Sequence, residues 1–211
     1  MKYLISFFIL ILVANFSFAQ KLSMRDVLKN MPTTIAPYLT HNNKLDMIDF
    51  IDSNMKSEVN NTLNGTSTLI LLTNDYLKLK LSPTLSIEMK LLPAEINSTN
   101  DTLVCVVYTY GDSIKDSKIE FYSPKWELVK TVSDPLSPKS INEYLSTYND
   151  NTLFKSAVND CLCIKAELSP KDNLLRLKMS EPIFVNDKVI QTKTSDMSIT
   201  LNWTGKSFKL Y

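Results

Sequence analysis

The spacing of apolar residues changes twice along this chain, and each change predicts a different kind of element. It begins as an apolar run from Leu4 to Ala14, behind Lys2 and ahead of Ser17-Phe18-Ala19-Gln20. A basic start, a short apolar centre and small residues one and three positions before a cut after Ala19 predict a secretory signal peptide over residues 1–19. The apolar centre is too short to span a bilayer, and no charged stop-transfer flank follows it. No cysteine follows the cut, so a lipid-anchored form is not indicated. The mature chain is expected to be exported, periplasmic or secreted, with no membrane span after signal removal.

Helical spacing comes next. Ser23 followed by Asp26 has the form of a capping box leading into a short helix through Leu28. Pro32 and Pro37 then predict no more than a turn of helix near Thr34 to Leu39. Asn43 is expected to cap a longer helix over 44–59, where Leu45, Ile48, Ile51 and Met55 fall on one side. Met47 and Phe50 widen that apolar face. Asn64-Gly65 predicts a turn.

Beyond it the period becomes two. Leu69–Leu72 is a short apolar run, and Tyr76–Leu81 places three leucines on one face and two lysines on the other. Ile87, Met89 and Leu91 alternate against Ser86, Glu88 and Lys90, and Ser82-Pro83-Thr84 between the two runs predicts a hairpin loop. Pairing Leu81 with Ile87 sets Lys80 opposite Glu88, which is favourable. It also sets Lys78 opposite Lys90, which is not, so the register stays open. Leu103–Tyr108 is apolar on both faces and predicts an interior strand. Ile119 and Phe121 alternate in the next strand, and Pro124 marks a turn before Trp126.

A loop at Ser133–Pro138 divides the mature chain into 20–132 and 133–211, expected to pack together as one globule. Ser140 and Glu143 predict the start of a second short helical region. Strands return with inward Leu162, Ile164, Ala166 and Leu168, then Leu175, Leu177 and Met179, then Met197, Ile199, Leu201 and Trp203. Phe208 and Leu210 end the chain. Strands with one apolar face need a cover, and helices ahead of them can supply it. The expected class is α+β: helices packed on a mostly antiparallel sheet, with a possible tandem helix-plus-meander duplication.

Charge and cysteines narrow the chemistry. Removing the signal takes the formal net charge from +1 to about zero, which leaves no electrostatic footprint for nucleic acid. Cys105, Cys161 and Cys163 are the three cysteines of a chain bound for an oxidising compartment. Cys161 and Cys163 share one strand face, where a bridge between them is geometrically poor. Either all three are thiols, or Cys105 bridges to Cys161 or Cys163. A nearby lysine could raise the thiolate content of the strand pair. His41 is the only histidine and sits in a polar turn without nucleophile-elbow glycines, so it is not read as catalytic. Asp46, Asp49 and Asp52 drift around the outer face of a helix, too spread to converge on one cation. Tyr108, Tyr110, Tyr122, Trp126, Trp203 and Tyr211 are read as sheet packing before a ligand platform. No catalytic residue, metal ligand or cofactor is assigned.

Several stretches carry a family resemblance. They are Leu45–Met55, Leu72–Leu77, Glu88–Pro93, Val104–Val107 and Asp116–Tyr122. Together they are similar to an uncharacterised exported family of Bacteroidales-type bacteria, domain of unknown function 3256. The resemblance implies an envelope location and transfers no catalytic residues. The expected function is a non-catalytic envelope protein that binds a protein or a cell-surface glycan. The alternatives are a glycan hydrolase using two carboxylates and a thiol- or redox-responsive envelope protein working through Cys161 and Cys163.

Overall fold

A computed structural model describes residues 22–96, 99–147, 162–185 and 188–211. The signal segment and Cys161 lie outside the described residues. Helix α1 (Met24–Lys29) starts where the sequence places it, with the Ser23 side chain accepting the Asp26 amide. Helix α2 (His41–Asp52) is capped three residues earlier than expected. There Thr40 and Asn43 bond reciprocally, so Asn43 closes a capping box instead of forming the cap. The same helix ends at Asp52 rather than at residue 59. Asn54 turns into the left-handed region at φ 54°, which exposes Met55, and Glu58–Asn60 becomes strand β1. No helix forms over 34–39, where two tight turns close on Pro32 and Ala36.

Six antiparallel strands form a meander in the order β1-β2-β3-β4-β5-β6. After β1 come β2 (Thr66–Leu72), β3 (Tyr76–Ser82), β4 (Leu85–Ile96), β5 (Thr99–Tyr110) and β6 (Asp116–Tyr122). Helix α3 (Pro138–Ser146) follows, capped by Ser137 instead of Ser140. Pro138, at the first helical position, lacks only an amide that the helix would leave unbonded, and so fits there. Strands β7 (Cys163–Leu168), β8 (Leu174–Val185), β9 (Lys188–Trp203) and β10 (Phe208–Leu210) form a separate sheet in the order β10-β9-β8-β7.

Two apolar clusters share the first sheet as a common wall. On one face Leu77, Leu79, Leu81, Ile87 and Met89 meet Met24, Leu28, Met47 and Ile48 of α1 and α2. On the other, Leu103, Cys105, Val107 and Phe121 meet Ile164, Leu175, Leu177, Ile199 and Leu201 of the second sheet, with Ile141 and Tyr144 of α3. Trp203 stacks on Phe121 at 5.7 Å and donates its indole N–H to the Pro93 carbonyl at 2.6 Å. Among the described residues the architecture is therefore two antiparallel sheets with three short helices, and α+β fits it only loosely. Helices do cover one face as expected. The other face is covered by a sheet, which alternation could not foresee: the pattern says which side of a strand is buried, not against what.

The β3–β4 register, left open by the sequence, is also fixed. Lys78 faces Glu88, Tyr76 faces Lys90 and Leu79 faces Ile87, one pair further along than the Leu81–Ile87 register considered from sequence. The tight Pro83-Thr84 loop and an irregularity at Ser82 allow it. It replaces a lysine–lysine pair by the Lys78–Glu88 ion pair at 2.8 Å.

Candidate functional site

The second sheet does not cover the whole of the first. Its edge strand β7 lies against β4, β5 and β6, and beside it Lys80 of β3 and Ile70 and Leu71 of β2 stay exposed. An edge strand presents unpaired N–H groups, which need partners. Here the partners are side chains of the first sheet. The amide of Ile164 donates to Asp116 Oδ1 at 3.0 Å, that of Ala166 to Ser117 Oγ at 3.0 Å, and that of Leu168 to Glu88 Oε2 at 2.8 Å. Ser117 Oγ also lies 3.1 Å from Thr109 Oγ1. The edge is closed, and β7 is held at a fixed step above the first sheet.

That step gathers two of the three buried charged side chains among the described residues, Glu88 and Lys90, while Lys44 of α2 is buried on the helix side. Glu88 is 6% exposed, and its second oxygen takes Lys78 Nζ at 2.8 Å. The Tyr76 hydroxyl faces the same carboxylate; burial first, and then Glu88, push its pKa well above the usual phenol range. Lys90 is 1% exposed, reaching Asp75 at 2.9 Å and the Pro170 carbonyl at 3.3 Å. Glu167, outward on β7, lies between Lys165 and Lys178. Burial pushes its carboxyl up, but the Lys165 hydrogen bond and the charges of Lys165, Lys178 and Lys78 outweigh this and hold it below the usual carboxylate range.

A cleft of about 280 Å³ opens at the step. One wall is Lys78 and Lys80 of β3 with Ser86 and Glu88 of β4, and the other is Lys165 and Ala166 of β7. Its mouth is made by the β3–β4 turn and by Gly111, Asp112 and Lys115 of the β5–β6 loop. The Gly111 amide ties these two loops together by donating to the Thr84 carbonyl at 2.9 Å. Gly111 has φ +100°, and a Cβ there would stand 1.9 Å from the Ile114 carbonyl oxygen, so no other residue fits without moving the loop. Ile70, at an irregularity in β2, lines the same cleft and is 50% exposed, beside Leu71 at 38%.

The residues weighed from sequence lie elsewhere. His41 is exposed at the start of α2. Asp52 is taken by Arg25 in a bidentate pair at 2.6 and 2.7 Å, while Asp46 and Asp49 face solvent. Among the described residues no three metal-ligating side chains converge. Cys105 is an unbridged, fully buried thiol whose pKa burial drives far upward, and Cys163 is half-buried at the start of β7. Trp203 belongs to the core, as read. Tyr108, Tyr110, Tyr122 and Trp126 form a cluster on the helix side of β5–β6, in which burial and the Glu120 hydrogen bond push Tyr122 up to about 12. Tyr108 and Tyr122 are both 8% exposed, so this is packing more than a platform. Of the cleft lysines, Lys78 and Lys80 were visible in the sequence only as the wet face of a strand, and Lys115 not at all.

Comparison with known proteins agrees on form. The sequence pattern of a protein family of unknown function, DUF3256, matches residues 16–208. No curated protein matches. A solved domain of an uncharacterized protein from Porphyromonas gingivalis W83 is similar in fold, with a TM-score of 0.65 at 17% identity. The similarity covers 89% of this chain and 97% of that one.

Proposed function

This chain belongs to the protein family of unknown function DUF3256, and we propose that it is an exported, non-catalytic envelope protein that binds another protein at the step between its sheets. The observation that carries this reading is the exposure of Ile70 and Leu71 beside a cleft whose walls are tied down by side-chain-to-backbone bonds. Paired aliphatic side chains left in water next to a rigid recess have the character of a contact surface. The signal-like N-terminus supports export.

The alternatives have less to stand on. A two-carboxylate hydrolase needs carboxyl groups open to substrate. Glu88 in the cleft is occupied by Lys78 and the Leu168 amide. A thiol function would have to rest on Cys161 and Cys163, since the buried Cys105 is a poor nucleophile. Glycan binding would gain from an aromatic wall, and among the described residues no aromatic side chain lines the cleft. The tandem origin of the two sheets stays a proposal too, supported by a helix ahead of each meander; superposing β3–β6 on β7–β10 tests it.

The test of the binding reading is a photo-crosslinking amino acid at position 70 in the native host, with Leu128, exposed and bridged to Tyr122 of β6 toward the other end of the sheet, as the control position. One defined envelope protein captured from position 70 and absent from position 128 supports the reading. Equal capture from both positions, or none from position 70, overturns it.

A further inference from the structure

We infer that the partner segment seated in this cleft is acidic, with carboxylates meeting Lys80 and Lys115 and an aliphatic side chain resting on Ile70. This rests on the protein-binding reading above and names the chemistry of its partner. The cleft lining holds four lysines against two carboxylates, Glu88 and Asp112. These lysines are not equivalent. Lys78 is neutralised by Glu88 and Lys165 by Glu167. Lys80 and Lys115 are exposed, and neither makes an ion pair among the described residues.

Position adds to charge. Lys80 stands exposed near the turn end of β3, and Lys115 stands in the loop that Gly111 anchors to the β3–β4 turn. The two therefore flank the mouth of one recess on supports that are themselves fixed. Asp112 lies on the rim and keeps the site from being uniformly basic, which favours a segment with spaced acidic residues over a dense polyanion. Charge arranged in this way steers and selects a partner more than it tightens the complex, and it is weakened by salt. The aliphatic contact at Ile70 is what salt leaves in place.

The experiment uses the mature protein and three labelled hexapeptides: alternating Leu-Glu, the same peptide with Gln for Glu, and the same with Lys for Glu. Oligogalacturonate is a fourth probe. Backbone amide shifts in NMR locate binding, and titrations at low and high salt measure it. The Leu-Glu peptide is expected to shift Ser82 to Ser86 and Gly111 to Lys115, and to bind about tenfold more tightly than its Gln counterpart. In the double variant Lys80→Glu, Lys115→Glu the preference should pass to the Leu-Lys peptide. Neither substitution touches a buried contact, so an unchanged melting temperature certifies the fold. Lys80→Gln, Lys115→Gln serves if the reversal misfolds, and should equalise the peptides.

Equal binding of the Glu and Gln peptides at the cleft would overturn the acidic partner and leave the protein-binding reading intact. Binding of oligogalacturonate without the peptides would overturn both in favour of a glycan. Absence of any shift at the cleft with all four probes would overturn the acidic partner, while crosslinking at position 70 would still judge the wider reading separately.

Discussion

The two faces of the six-stranded sheet are built from the same strands and end up with opposite characters. Toward the helices, β3 and β4 present Leu77, Leu79, Leu81, Ile87 and Met89, all fully buried. Toward the second sheet, the same strands present Tyr76, Lys78, Lys80, Ser86, Glu88 and Lys90. Apolar packing returns on that side with Leu92 and Ala94 of β4, then Leu103, Cys105 and Val107 of β5. The cover explains the difference. Helices α1 and α2 lie over the leucine face of β3 and β4, whereas β7 stops partway and leaves an edge that needs hydrogen-bond acceptors. Charged residues at the boundary of a cover serve two purposes: they close the edge and keep the uncovered strip wet. A cleft is the geometrical result.

The boundary carboxylate therefore matters more than its exposed counterparts. Glu88→Ala leaves the Leu168 amide without its acceptor and Lys78 without its partner. It should cost about 2–6 kcal/mol, because the Leu168 amide and the Tyr76 hydroxyl each lose a buried acceptor at about 1–3 kcal/mol, while Lys78, 37% exposed, can turn to water. Denaturant titration measures it; a loss below about 1 kcal/mol would make Glu88 an ordinary surface residue.

The purely apolar face gives the reference. Leu79→Ala should cost about 2–5 kcal/mol, and so should Leu201→Ala in the second sheet, since both side chains are fully buried. Asn202, outward on the same strand as Leu201, should change stability by no more than about 0.5 kcal/mol when replaced by Ala. Thermal melts that reversed the order of Leu201 and Asn202 would invert the assigned faces of β9.

A smaller effect follows from Glu167. Its carboxyl is held below the ordinary value of 4.5 by its lysines, against the effect of burial. The ionised form is therefore favoured in the folded chain. Its contribution is whole above pH 4.5 and is lost as pH falls through the lower folded value. Glu167→Gln should flatten part of the fall in melting temperature below pH 4.5 and change little at pH 7 beyond the loss of a half-exposed pair. An unchanged acid limb would remove Glu167 from the account.

How legible this was differs between elements for physical reasons. The strands showed themselves because period-two alternation is a local property: β3, the interior strand β5 and the inward set Leu175, Leu177 and Met179 all fall where the pattern puts them. Caps were legible in kind but shifted by three residues at α2 and α3, because Ser, Thr and Asn clusters offer several residues able to cap. The end of α2 was missed because Asn54 in the left-handed region looks like any polar residue in a helical pattern. The divide at Ser133–Pro138 does fall between the two sheets, but the packing of one sheet on the other and the cleft were not legible at all. Both depend on Glu88, Asp116 and Ser117 meeting β7, contacts separated by 48 to 80 residues. In the sequence Glu88 was only the polar half of an alternation, and Lys80 and Lys115 were single charges on unrelated segments.

The central claim is that β7 ends the second sheet with its edge bonded to side chains of the first, so that the open strip beyond it is a fixed recess. Native-state hydrogen exchange at Ile164, Ala166 and Leu168 tests it most directly, since these amides donate to side chains of β6 and β4 and not to the paired strand β8. They should be protected well beyond the exposed turn amides of Lys171 and Lys206. Ser117→Ala should release Ala166 while leaving Leu168 protected. Exchange of all three at the rate of the exposed turns would contradict the account: the edge would be open, and the cleft beside it would have no fixed wall.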